Sequence, residues 1–219
     1  MADIQLRYMN SKLILVGAGG FGREVLEWAK NSFPEIGPSP VSGFLDDNPN
    51  ALSDFNIDIP WLGAILDYVP QHGDLFLLSV GGPAAKQKIA NALKEKNAVF
   101  VSLIHRTAIV ADSASLGSGV IICPFSLISV NSKLGDFVTV NTMSSVGHDS
   151  RIGSFSTLSA HVDVTGQVEI GEGVFFGTGA KLLPRISIGD KAVVGAGCTV
   201  VRSVRAGMTV YTAPARRLG

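Results

Sequence analysis

From Ile104 to Val200 every sixth residue is apolar: Ile104, Val110, Leu116, Ile122, Ile128, Leu134, Val140, Val146, Ile152, Leu158, Val164, Ile170, Phe176, Leu182, Ile188, Val194 and Val200. With 46% of the chain hydrophobic, seventeen such hits in a row would arise by chance about twice in a million trials. A period of six excludes an α-helix, and plain strand alternation would not leave four of six positions free. The residue four places after each stop is small or β-branched, from Ala108 and Ala114 through Ser126, Val138, Ser150, Val162 and Ala180 to Cys198. Glycine follows eight stops, at 117, 135, 147, 153, 171, 177, 189 and 195. The pattern predicts a short strand plus a corner in each hexad. Three hexads would close a triangular coil, and coils stacked about 4.8 Å apart by parallel hydrogen bonding would build a prism with the stops along its axis. The glycines are expected to relieve unusual corner geometry. No inserted residue breaks the register, so no external loop is expected.

The first hundred residues follow different periods. An apolar run, Lys12 to Val16, ends in Gly17-Ala18-Gly19-Gly20-Phe21-Gly22 and is followed by an amphipathic stretch from Arg23 to Lys30. This predicts strand, glycine turn and helix, with Gly17, Gly19, Gly20, Phe21 and Gly22 placed where backbone amides can approach a phosphate. A second strand, Val41 to Leu45, ends in Asp46-Asp47, acids suited to a ribose or base edge. A third, Leu75 to Val80, ends in Gly81-Gly82-Pro83 before a helix reaching about Lys96, and Val99 to Leu103 gives a fourth. The expected domains are a small Rossmann-like α/β unit over 1–103 and the hexad prism over 104–219. So few strands favour a single nucleotide or nucleotide sugar over a dinucleotide.

Composition narrows the function. Lysine plus arginine equals aspartate plus glutamate at 18 each, so there is no basic field for nucleic acid. The N-terminal MADIQLRYMNSKLILVG has too short an apolar run for a signal peptide, and no run of about 18 apolar residues could span a membrane. The two cysteines, Cys123 and Cys198, form no CxxC pair. The expectation is a soluble cytoplasmic protein without a membrane span or a metal site.

The segments GAGGFGREV, GFLDD, LIHRTAIV, NTMSSVGHD and YTAPARR together resemble the sialic acid O-acetyltransferase and nucleotide-aminosugar N-acetyltransferase family of hexapeptide-repeat enzymes. The resemblance runs over nearly the whole chain from Lys12. It implies a left-handed winding of the prism and a homotrimer, with acetyl-CoA between neighbouring prisms and a nucleotide sugar on the N-terminal unit. It places the catalytic histidine at His148, an acid at Asp149 and an asparagine at Asn141. It places at Gly166, eighteen residues after His148, the amide that meets the thioester carbonyl. Thr157 and His161 stand in the region of a second family histidine, and Ala213 and Arg216 in the terminal motif, all four expected at coenzyme A. Asp46, Asp47, Gly81 and the glycine turn would hold the nucleotide sugar. Phe21 stands where the family usually has histidine.

Imidazole is the side chain best suited to exchanging protons near neutral pH. The implied chemistry is direct transfer: His148 takes the acceptor's proton while the Gly166 amide stabilises the oxyanion, with no acyl-enzyme. An amino-sugar N-acetyltransferase is preferred, with sugar O-acetylation as the alternative and a non-catalytic nucleotide-sugar scaffold as the other class. A zinc hydratase on the same kind of prism would need three convergent histidines, and only His148 and His161 lie on suitable faces. His72 and His105 are read as structural.

Overall fold

The computed structural model describes residues 11–33 and 39–213. The N-terminal unit is a five-stranded parallel sheet, formed by β1 (Lys12–Val16), β2 (Val41–Leu45), β3 (Trp61–Gly63), β4 (Asp74–Leu78) and β5 (Val99–Phe100), in the order β3-β2-β1-β4-β5. Leu13, Leu15, Phe44 and Leu77 face helix α1 (Gly20–Ser32), which buries Val25, Leu26 and Ala29 against them. Ile14, Val16, Phe76 and Leu78 face the other way, toward Ala90 and Leu93 of helix α2 (Pro83–Glu95). Both sides are covered, as a parallel sheet requires. The sequence reading missed β3, a three-residue edge strand directly after Pro60 whose pairing with β2 is irregular.

From Leu103–Ile104 to Thr209–Val210 the chain forms a parallel β-helix of two-residue strands in three sheets of seven, six and five strands. Partners lie eighteen residues apart, as Val146 and Val164 do, the spacing that three hexads per coil require. We call these the seven-strand face (Leu103–Ile104 to Thr209–Val210), the six-strand face (Ile109–Val110 to Thr199–Val200) and the five-strand face (Ser115–Leu116 to Ser187–Ile188).

The stops from Ile122 to Val200 are buried together with the small residues four places on. The first coil departs, with Ile104 41% exposed and Val110 and Leu116 only partly buried, because no coil lies beneath it. Interior serines are satisfied along the stack: Ser150 Oγ donates to Thr165 O at 2.9 Å and accepts from Val168 N at 3.1 Å. After Val200 the register shortens by two, so that Val194 pairs with Val210 and Ile188 with Val204.

The glycines after the stops serve a different purpose from the one expected. A Cβ at Gly147 would lie 2.5 Å from the carbonyl carbon of Thr165 in the next coil, so glycine permits close stacking of backbones. The left-handed backbone falls two residues later, at Phe125, Asn131, Phe137, Met143, Asp149, Phe155 and His161 among others, with φ near 60°.

The N-terminal unit packs on the seven-strand face. Leu103, Ile121 and Cys123 join the core under α1, while Phe137 and Phe155, stacked at 5.3 Å, join the core under α2. His105, at this junction, is buried and bonds Thr107 Oγ1 through Nδ1 at 2.9 Å. Burial and the neighbouring Arg106 hold its pKa below the usual histidine value.

Candidate functional site

His148 sits two residues beyond the stop Val146, at the corner between the six- and five-strand faces, with its side chain 56% exposed. Its Nδ1 lies 2.8 Å from Asp149 Oδ2. Asp149 is held in turn by its left-handed φ of 59° and by Asn131 Nδ2, which donates to Oδ1 at 3.2 Å. The hydrogen bonds from His148 and then Asn131 hold the Asp149 carboxyl below the usual aspartate pKa. An ionised Asp149 fixes the proton of a neutral imidazole on Nδ1, which leaves the Nε2 lone pair free.

Gly166 occupies the same corner one coil further along. The His148 ring lies over it: a Cβ built on Gly166 would be 2.6 Å from Cε1 and nearer still to Nε2. At the corner between the five- and seven-strand faces, several amides at the corresponding position are capped by the side chain eighteen residues on, as Ser118 N is by Asp136 Oδ1 and Glu172 N by Asp190 Oδ1, both at 2.9 Å. Eighteen residues after Gly166 stands Pro184, whose side chain offers no acceptor. Among the described residues no hydrogen bond uses the Gly166 amide. A proton acceptor and an unengaged N–H thus converge where a reacting carbonyl could sit.

Asn141 is at the other end of the six-strand side, where its Oδ1 accepts from Thr142 N at 2.7 Å; one protomer does not bring it to His148. His161 is exposed on that same corner. Thr157 requires a correction. Its side chain is buried against the N-terminal unit, accepting from Lys86 Nζ and donating to Gly81 O, each at 2.8 Å, so it is not open to coenzyme A. Ala213, the last described residue, follows Thr212, which helps line a cavity of about 490 Å³ with Thr199, Arg202 and Tyr211. Arg216 lies outside the described residues.

The crevice at the carboxyl ends of β1 and β4 gathers most of the residues expected at a nucleotide sugar. Gly17 has φ +90°, and Ser79 Oγ ties the two strands by donating to Gly17 O at 2.6 Å. Gly19, Gly20, Gly81 and Gly82 have nothing within 4 Å of where a Cβ would stand, so their backbone is open to a ligand. Other members of the set have local duties. Gly22 lets α1 approach the Gly17 carbonyl, and Phe21 packs edge-on against Trp28. Asp46 is turned inward, accepting from Ala18 N at 2.8 Å and Asn48 N at 2.9 Å, and Asp47 accepts from Ile65 N at 3.2 Å. These two carboxylates shape the turn around the crevice rather than standing free in it.

The sequence reading overlooked Lys86, which is 1% exposed at the domain junction. The signal was present: Lys86, Ala90 and Leu93 follow the i, i+4, i+7 spacing of a buried helix stripe. Among the described residues there is no cluster of three or more His, Cys, Asp and Glu side chains able to hold a metal, and no helix long and apolar enough to cross a membrane.

Comparison with known proteins bears out the family resemblance. Residues 12–93 match the family model of the PglD N-terminal domain, and residues 167–202 match the six-repeat bacterial transferase hexapeptide model. Among solved structures, PerB from Caulobacter crescentus in complex with CoA and GDP-perosamine is 28% identical, with a TM-score of 0.83, covering 96% of this chain and 98% of that one. The acetyltransferase domain of PglB from Neisseria gonorrhoeae, in complex with acetyl coenzyme A, is 29% identical, with a TM-score of 0.82, covering 95% of this chain and 100% of that one. WeeI from Acinetobacter baumannii is 28% identical, with a TM-score of 0.83 and coverage of 95% and 100%. No curated protein sequence matches at a significant level.

Proposed function

We propose that this chain, which joins a PglD N-terminal domain to transferase hexapeptide repeats, is an acetyl-CoA-dependent N-acetyltransferase acting on a nucleotide-linked amino sugar. The observation that carries the reading is the His148–Asp149 pair standing over Gly166, in a chain alike from end to end to PerB and the PglB domain. His148 Nε2 takes the proton as the sugar amine attacks the thioester carbonyl. The Gly166 amide donates to the oxyanion, and collapse of the tetrahedral intermediate expels coenzyme A.

The acceptor comes from a second copy of the chain. The N-terminal unit covers the seven-strand face, whereas His148 is on the opposite corner of the triangular prism. A sugar held in one protomer's crevice therefore faces another protomer's histidine. The six-strand face, with His148 at one rim, exposes Ile109 at 66%, Leu127 at 43% and, at the other rim, Phe125 at 64% and Met143 at 54%. Such an apolar strip fits the neighbour contact of a homotrimer, and a second copy against it would be needed for Asn141 to act at the site. The use of coenzyme A, together with two free buried cysteines, fits a cytoplasmic location.

The test is release of free thiol from acetyl-CoA with GDP- and UDP-linked 4-amino sugars as acceptors. The reading requires acceptor-dependent thiol release and a product amide that resists hydroxylamine. A hydroxylamine-labile product would make the enzyme an O-acetyltransferase, and binding of sugar nucleotide without thiol release would make it a scaffold.

A further inference from the structure

Lys86 is a buried lysine that the transfer mechanism leaves without a task. It lies in the first turn of α2, and its side chain crosses from the N-terminal unit to the seven-strand face. There Nζ donates to Phe137 O and Thr139 Oγ1 at 2.9 Å and to Thr157 Oγ1 at 2.8 Å, with Ser156 O further off at 3.4 Å. None of these partners is a carboxylate. At the rim, Asp136 bonds Lys94 and Glu172 bonds Gln87, so neither acid is among the partners of Nζ. Burial without a counter-charge pulls the lysine pKa down to about 7. Such a placement is poor glue, since an apolar side chain of similar length would seal the junction without desolvating an amine.

What the lysine does provide is direction. Thr157 Oγ1 has one proton; with Lys86 donating to its lone pair, that proton goes to Gly81 O at 2.8 Å. The backbone N–H of Lys86 donates to Gly82 O at 2.9 Å, the first bond of the helix. A single residue therefore grips the Gly81–Gly82 turn twice, through its own amide and through Thr157. That turn is the open backbone on the β4 side of the crevice.

We propose that Lys86 is a positioning residue for the acceptor: through Thr157 it fixes the Gly81–Gly82 turn of the nucleotide-sugar crevice to the wall of the β-helix. The role rests on the acceptor reading above for its purpose, and on the hydrogen-bond path alone for its mechanics.

Three variants separate this role from plain packing. Thr157→Val cuts the path to Gly81. Lys86→Met removes its orienting donor. Thr139→Val removes a Lys86 partner that does not touch Gly81. Hydrogen exchange of the 79–88 segment should quicken about fivefold in the first two, the worth of one buried hydrogen bond, and stay near wild type in the third, with the β-helix segments unchanged in all. With GDP-perosamine as acceptor, the same two variants should raise its KM about fivefold and leave the KM for acetyl-CoA unchanged. Equal exchange in Thr157→Val and Thr139→Val, or a KM change for acetyl-CoA alone, would overturn the proposal. A wild-type enzyme that ignores GDP-perosamine would count against that acceptor and not against the latch, which the exchange measurement decides.

Discussion

The imidazole of His148 fills the space that a side chain on Gly166 would need. Eighteen residues of sequence, one coil of the β-helix, bring the ring and the glycine into contact. The pair behaves as one device, since the absence of a side chain at Gly166 leaves the room that the ring occupies. Gly166→Ala should therefore displace the imidazole and reduce kcat about a hundredfold or more, on the scale of a misplaced base, without unfolding the helix. Steady-state kinetics beside a thermal melt checks this; normal kcat with an intact fold would separate the two residues functionally.

Pro184 is expected to keep the Gly166 amide available by offering it no acceptor. Pro184→Asp would supply the cap that Asp136 gives Ser118 and Asp190 gives Glu172. Turnover should fall at least about tenfold while thermal stability holds or rises, because the donor is diverted from the oxyanion to the new carboxylate. Pro184→Ala, with no acceptor, should keep most of its kcat. Equal activity in the two variants would rule out diversion of the amide.

Lys86 should leave a signature in the pH dependence of stability. Its pKa is about 7 when folded against an ordinary lysine value of 10.5, so above pH 7 the unfolded chain holds a proton that the folded chain has released. Stability then rises with pH through this window, by at most about 1.4 kcal/mol per pH unit. The groups packed on Nζ are carbonyls and hydroxyls, with Asp136 and Glu172 only at the exposed rim. Urea midpoints measured from pH 7 to 9 should climb in the wild type and flatten in Lys86→Met. The range stops there because Cys123, whose thiol burial pushes up, acts in the opposite sense at higher pH. Parallel slopes in the two proteins would show that Lys86 stays charged when folded.

If the acceptor is presented by a neighbour, inactive subunits should complement one another. Gly20→Trp places an indole in open space at the crevice turn, where no atom stands within 4 Å of the added Cβ. Oligomers of Gly20→Trp alone or His148→Ala alone should be inactive. Oligomers assembled from both should recover about a quarter of wild-type activity, the share of interfaces that pair two intact halves under random mixing. No recovery would place crevice and histidine in the same chain.

The β-helix was legible because its determinant is local: each stop and the small residue four places on must both enter a narrow axis. The reason for the glycines was not, since a period cannot distinguish a strained φ from a close neighbour one coil away. β3 escaped because three residues on a sheet edge carry no usable alternation. His148 and Gly166 could be paired by counting eighteen, but Thr157 was placed by alignment with a family histidine when its face mattered more. The residues before the stops mark that face. Ile121, Thr139, Thr157, Phe175 and Val193 line the covered side, against Ser115, Lys133, Arg151, Glu169 and Ser187 on the exposed five-strand side. The crevice acids were correctly placed along the chain, yet their inward hydrogen bonds depend on turn geometry that spacing does not reveal.

The proposed chemistry stands most directly on His148 as the proton acceptor. With acetyl-CoA and an amino-sugar nucleotide that the wild type acetylates, His148→Ala should lower kcat at least about a hundredfold, the usual contribution of a positioned base, while the oligomer and the affinity for coenzyme A persist. Undiminished turnover in a correctly assembled His148→Ala enzyme would contradict it.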